Sequence, residues 1–137
     1  MERLKGKTAF ISGGARGLGA EMARLLHGEG ANVMVTDILE DEGHALANDH
    51  ENMIFMAHDV LQEDQWIAAI GATKEAYGGL DVLVNNAGIA HNATTIEETS
   101  YEQWRKVVGI DLDAVFLGCK HGVGLMKDSG GSIINIS

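Results

Sequence analysis

Residues 8–19 read Thr8-Ala9-Phe10-Ile11-Ser12-Gly13-Gly14-Ala15-Arg16-Gly17-Leu18-Gly19, a short apolar run that breaks into glycines at 13, 14, 17 and 19. A strand that turns sharply into a helix needs residues tolerant of positive φ, and a phosphate reaches backbone N–H groups only where no Cβ intervenes. The helix N-terminus after such a turn offers unsatisfied donors and a partial positive charge to a pyrophosphate. A tight turn alone would also explain the glycines, so context decides. Asp37 closes the next β-type run 18 residues after Gly19, near the roughly 20 at which a ribose-binding acid is expected.

Working outward, β-branched and apolar runs at 8–12, 33–37, 53–58, 81–85 and 132–136 alternate with helix-period segments. That alternation predicts an α/β doubly wound parallel sheet of five strands in one domain over residues 1–137. Leu18, Met22, Leu25 and Leu26 recur at helical spacing and predict the buried stripe of the first helix, which Gly28 and Gly30 end. The polar, acidic interval 39–52, with its run Glu40 to Glu42, predicts a solvated outer helix or a helix plus loop. Trp66, Ile67, Ile70 and Tyr77 mark a further helix that stops at Gly78-Gly79. A single long helix is predicted over 100–127, opening with Ser100 and Gln103 at capping-box spacing and burying Trp104, Val108, Leu112, Val115 and Leu125.

Ten Lys and Arg face twenty Asp and Glu, a formal charge of −10, which argues against a nucleic-acid or anionic-membrane partner. Hydrophobic residues at 45% and charged residues at 22% suit a chain that buries a core. Cys119 is the only cysteine, so no intrachain disulfide is available, and it reads as a small buried hydrophobe rather than a nucleophile. His27, His44, His50, His58, His91 and His121 show no metal-ligand spacing and read as scattered surface or packed side chains, so no metal is expected. No apolar run reaches the roughly 18 residues of a membrane span. The charged start, Glu2, Arg3, Lys5 and Lys7, is followed by no signal-type cleavage pattern, so a cytoplasmic location is expected. Gly, at 18 residues, is abundant, and Pro is absent.

The string 12–19, spaced G-x-x-x-G-x-G, together with Asn85-Asn86-Ala87-Gly88 after the fourth strand, resembles the cofactor motifs of the short-chain dehydrogenase/reductase family. Trp104-Arg105-Lys106-Val107-Val108 and Val115-Phe116-Leu117-Gly118 are similar to its branch of hydroxysteroid and secondary-alcohol dehydrogenases. The resemblance covers residues 4–137 and implies a Rossmann-type fold and hydride transfer between NAD(H) and a secondary alcohol or ketone. It implies a cofactor site of Gly13, Ala15, Arg16, Gly17, Leu18, Gly19, Asp37, Asp59, Val60, Asn86, Ala87 and Gly88. Within that set Asp59-Val60 resembles the acid-plus-apolar pair that family members place against the adenine.

A carboxylate at the end of the second strand accepts hydrogen bonds from both ribose hydroxyls, each worth about 1.5–3 kcal/mol, and repels a 2′-phosphate. NAD is therefore expected over NADP. Arg16 sits where NADP-preferring family members often hold a base, and it also reads as a solvated loop cation.

The resemblance implies a Tyr base whose pKa a Lys four residues later lowers, a Ser that orients the substrate oxygen, and a helix Asn that anchors a water relay. An unperturbed Tyr, near pKa 10, is a poor base at neutral pH without such a cation. Here Tyr77 precedes Asp81 and Tyr101 precedes Arg105 at that spacing, and the sequence stops at Ser137, one residue before the expected catalytic Ser. Asp111 stands at the relay Asn position, and the spacing puts it in the apolar stripe with Trp104, Val108 and Val115, where a carboxylate is costly without partners. Its backbone carbonyl keeps the relay acceptor, while the side chain loses the amide donors. The chain thus reads as a truncated cofactor-binding half of a homo-oligomeric dehydrogenase. Two other classes remain: a binding module without hydride-transfer competence, and a methyltransferase on the same sheet, which Asn85-Asn86-Ala87-Gly88 disfavours. The loop 89–95 is expected to form one pocket wall. A fifth strand exposing Ile133, Ile134 and Ile136 at a sheet edge predicts partner-dependent folding or aggregation.

Overall fold

In the computed structural model β1 (Thr8–Ser12) is buried at every position, as a strand covered on both faces must be. The structure describes residues 2–91 and 94–137; Met1, and Asn92 and Ala93 within the expected pocket loop, lie outside the described residues. The remaining strands are β2 (Asn32–Asp37), β3 (Met53–Ala57), β4 (Val82–Asn85) and β5 (Ser132–Asn135). All neighbours pair in parallel, in the order β3-β2-β1-β4-β5. The sheet is the doubly wound one that the sequence predicts. Its strand ends differ by a residue: Asn32 joins β2, while His58, Asp81 and Ile136 fall outside their strands.

Strand alternation sorts the core into two layers. Ile11, Val33, Val35, Phe55 and Val84 face α1 (Gly17–Gly28) and α2 (Glu40–Asn48), which add Ala20, Ala23 and Leu46. Phe10, Met34 and Leu83 face the other layer, α3 (Glu63–Tyr77) and α5 (Ala114–Met126), which adds Trp66, Ala69, Ile70, Ala114 and Met126. Gly78, at φ 84°, ends α3 in the left-handed region, as its position after Tyr77 predicts. On the far side of the sheet, Glu63 at the start of α3 takes Lys120 Nζ at 2.6 Å and His121 Nε2 at 2.9 Å from α5.

Two helical faces correct the sequence expectation. In α1 the buried residues are Gly19, Ala20 and Ala23, while Leu18 and Leu25 are 62% and 69% exposed; Met22 and Leu26 are half-buried. The helix sits close to the sheet through its small side chains. The long helix expected over 100–127 is three pieces: α4 (Tyr101–Val108), a π-helical turn (Gly109–Asp113) and α5. Ser100 does cap it, its Oγ accepting from Gln103 N–H at 3.1 Å. The wider π turn resets the helical phase, so Gly109, Ala114, Gly118, Gly122 and Met126 face inward. Trp104 and Leu112, assigned to the buried stripe, are instead 56% and 64% exposed.

Two further expectations also change. Asp111 is exposed rather than set in an apolar stripe. Cys119 is half-buried, its Sγ within 3.5 Å of Asn85 Nδ2 and 4.0 Å of Asn135 Oδ1, so it is not a sealed hydrophobe. β5 does form an edge, with Ile134 45% exposed, although Ile133 packs into the core. Among the described residues no helix is long and apolar enough to cross a membrane.

The small-residue faces set the first prediction. A Cβ on Gly118 would lie 2.1 Å from Asn85 Oδ1 and 2.8 Å from the Trp66 ring. Gly118→Ala should therefore cost about 1–3 kcal/mol in urea unfolding, whereas Leu25→Ser, at an exposed site, should stay within about 0.5 kcal/mol. The reverse ranking would restore the leucine stripe.

Candidate functional site

β1 and β4 are neighbours whose connections leave in opposite directions, which opens a crevice at their C-terminal ends. Two backbone turns meet there. Ser12 Oγ accepts the N–H groups of Asn86 and Ala87, each at 3.1 Å. In return Asn86 Nδ2 donates to the carbonyls of Ser12 at 3.1 Å and Gly13 at 2.9 Å. Gly13 has φ 64°, and a Cβ there would stand 2.7 Å from Ala87 Cα. At Gly19 a Cβ would reach within 2.3 Å of the Gly13 carbonyl oxygen. No larger residue fits either place without moving backbone.

α1 begins in this crevice and begins bare. Its N-cap, Arg16, makes no side-chain capping bond, and its first turn holds no acid. By contrast α2 carries Glu40, Asp41 and Glu42 in its first turn, and α3 carries Glu63 and Asp64. Gly17, at φ 57°, has open space where a Cβ would be. The amides of this turn and the helix's positive end are therefore left to an anion from outside. They front a cavity of about 350 Å³.

Of the expected residues, Gly13, Arg16, Gly17, Asp37, Asp59, Val60, Asn86, Ala87 and Gly88 line that cavity. Ala15, Leu18 and Gly19 do not. Ala15 N–H donates to Asp37 Oδ2 at 3.1 Å, Gly19 is buried behind the turn, and Leu18 is exposed. Asp37 Oδ1 also accepts Leu39 N–H at 3.1 Å, so backbone donors at both oxygens fix the carboxylate's orientation. Asp59 is held likewise: its N–H donates to Gln65 Oε1 at 2.7 Å, and its Oδ1 accepts Leu61 N–H at 3.0 Å. Trp66 Nε1 donates to the Val60 carbonyl at 2.9 Å. Asp111 stands off the lining, and its Oδ1 accepts Ile89 N–H at 2.9 Å, tying the π turn to the strand-β4 loop. Its neighbour Ile110 does line the cavity.

The profile of the short chain dehydrogenase family matches residues 7–137. The chain belongs to that family. It is similar to trans-4-hydroxycyclohexanecarboxylate dehydrogenase of Sinomonas cyclohexanicum, 46% identical over 99% of the chain and 56% of the relative. It is 48% identical to 3-alpha-(or 20-beta)-hydroxysteroid dehydrogenase of Mycobacterium tuberculosis, over 98% of the chain and 52% of the relative. It is also 39% identical to the NADP-dependent (R)-specific alcohol dehydrogenase of Lentilactobacillus kefiri, over 99% of the chain and 56% of the relative. The chain thus spans about half the length of these short-chain dehydrogenases.

Sequence reasoning missed His58, counted there among scattered histidines. It lies at the end of β3 in the cavity wall, 2% exposed. Its Nδ1 is 2.9 Å from Thr36 Oγ1, and its Nε2 is buried without a hydrogen-bond partner among the described residues. Burial pulls the imidazole down from its ordinary 6.5 to about 4, against the opposing pull of the Asp59 carboxylate. The only signal in sequence was its place before Asp59.

That shift gives this short-chain dehydrogenase chain an acid-labile element. The unfolded state takes up a proton near pH 6.5, the folded state not until about pH 4, so stability is full above 6.5 and falls as pH drops through that window. Urea unfolding at pH 7.5 and 4.5 should show His58→Phe losing less stability on acidification than the unaltered protein, the difference being at most about 3 kcal/mol. Equal losses would contradict the burial assigned to His58.

Proposed function

We propose that the chain forms the dinucleotide-binding part of an NAD(H)-dependent oxidoreductase acting on a secondary alcohol or ketone. One observation carries this reading: α1 opens uncapped and without acids onto a cavity whose other wall is Asp37. The uncapped first turn of α1, with Gly17 at the cavity wall, suits a pyrophosphate, and the close-set glycines let a phosphate approach backbone. Bound there, a nicotinamide would supply or accept the hydride. Asp59 and Val60, braced by Gln65 and Trp66, would form the adenine wall. Asn86, Ala87 and Gly88 would bound the cofactor from the strand-β4 side.

Asp37 supports NAD over NADP. Its oxygens each retain a lone pair after accepting a backbone N–H, available to ribose hydroxyls, while a 2′-phosphate would meet like charge. Arg16, exposed at the start of α1 and lining the same cavity, is the opposing feature, and a relative at 39% identity is named NADP-dependent. The hydroxysteroid and hydroxycyclohexane dehydrogenases among the relatives favour a ring-borne secondary alcohol as substrate. Asp111 would act at one remove, its side chain holding Ile89 in the loop that borders the cavity. On this reading the protein works in the cytoplasm as a homo-oligomer, and the exposed Trp104 of α4, Leu112 of the π turn and Phe116 of α5 offer apolar surface to a second copy.

Fluorescence titration with NADH and NADPH tests the cofactor assignment. The unaltered protein should prefer NADH, and Asp37→Ala should shift the ratio of affinities toward NADPH by about tenfold or more, the loss of one charge-assisted bond and of a like-charge repulsion. An unchanged ratio would remove Asp37 from the selection.

A further inference from the structure

His58 joins three elements at one end of the cavity. Its N–H donates to the Asp37 carbonyl of β2 at 2.9 Å, and its Nδ1 meets Thr36 Oγ1 at 2.9 Å. Its ring lies edge-to-face with Trp66 of α3, centroids 4.5 Å apart at 87°, and Trp66 in turn holds the Val60 carbonyl. Phe10 of β1 closes the far side, at 6.3 Å. The imidazole therefore stands between the strand that ends in Asp37 and the turn that carries Asp59 and Val60, and it also borders the cavity.

We propose that His58 is a positioning residue for the adenosine end of the cavity, bracing the Asp59–Val60 turn against Thr36 and Trp66, and that nucleotide binds only while this imidazole is neutral. The proposal rests on the dinucleotide reading. A proton on His58 would put a cation among Phe10, Thr36 and Trp66, none of which offers a countercharge. Of the acids around the cavity the Asp59 carboxylate favours the proton, but burial outweighs it. Asp37 accepts from Ala15 and Leu39, Asp59 accepts from Leu61, and Glu63 on α3 is paired with Lys120 and His121. Relief for the charged ring would come from moving it toward water, which here means into the cavity and out of the Thr36 bond. The burial that holds the group near pKa 4 has the same origin.

Binding of ADP-ribose by calorimetry at pH 7.5 is the test. His58→Asn, which sets an amide atom where Nδ1 stands, should bind within about threefold of the unaltered protein. His58→Phe and Thr36→Val, which fill the space without the bond, should bind about tenfold more weakly. Equal binding by all four proteins overturns the proposal alone; absence of ADP-ribose binding by the unaltered protein overturns the dinucleotide reading and the proposal with it.

A second measurement stands whether or not His58→Phe folds. In Trp104→Phe protein, Trp66 is the remaining tryptophan, and a neighbouring imidazolium quenches it. ADP-ribose should move the quenching midpoint to lower pH by about one unit, because a ligand that needs neutral His58 opposes its protonation. A midpoint unmoved by saturating ADP-ribose overturns the proposal.

Discussion

Two backbone turns pressed together at the end of β1 and β4 are the constraint from which the site follows. Ser12 and Asn86 exchange hydrogen bonds across the gap, and Gly13 and Gly19 leave no room for side chains between the strands and α1. Because the turn is stitched to β4, α1 starts at a fixed place and direction. Because the stitch uses the turn's carbonyls and Ser12, it leaves the first-turn amides of α1 uncommitted. An uncapped helix start of this kind is disposed toward anions.

The same economy of side-chain size recurs through the layers. α1 meets the sheet through Gly19, Ala20 and Ala23, α2 sets Gly43 against the Phe55 ring, and α5 sets Gly118 against Asn85 and Trp66. These contacts bring the helices close to the strands. Part of the abundance of glycine thus lies at the site and on the helix faces that hold it. The absence of proline finds no such explanation in the fold.

The central strands were legible in the sequence because burial on both faces imposes continuous apolar runs, and all five strands stand within a residue of where the β-type runs lie. The cavity wall was legible because glycines, Asp37 and the Asn86–Gly88 stretch are chemically unusual at strand ends. The helix faces were not. A hydrophobic count assigns the inner face to Leu18, Leu25, Trp104 and Leu112, whereas close packing selects glycine and alanine, which such a count ranks low. Nor does spacing show the π turn, whose extra residue shifts the helical phase so that Ala114, Gly118, Gly122 and Met126 are buried in α5. His58 was illegible for a different reason: its role depends on Thr36 and Trp66, which the chain brings to it from two other elements.

On the proposed function the open first turn of α1 receives the pyrophosphate of a nicotinamide dinucleotide. Amide chemical shifts in ¹⁵N–¹H spectra, followed while NADH is added, test it most directly. The largest shifts should fall on Gly17, Leu18 and Gly19, with smaller ones at Asp37, Asp59 and Ala87. Saturable binding that leaves the amides of residues 17–19 unmoved would contradict it.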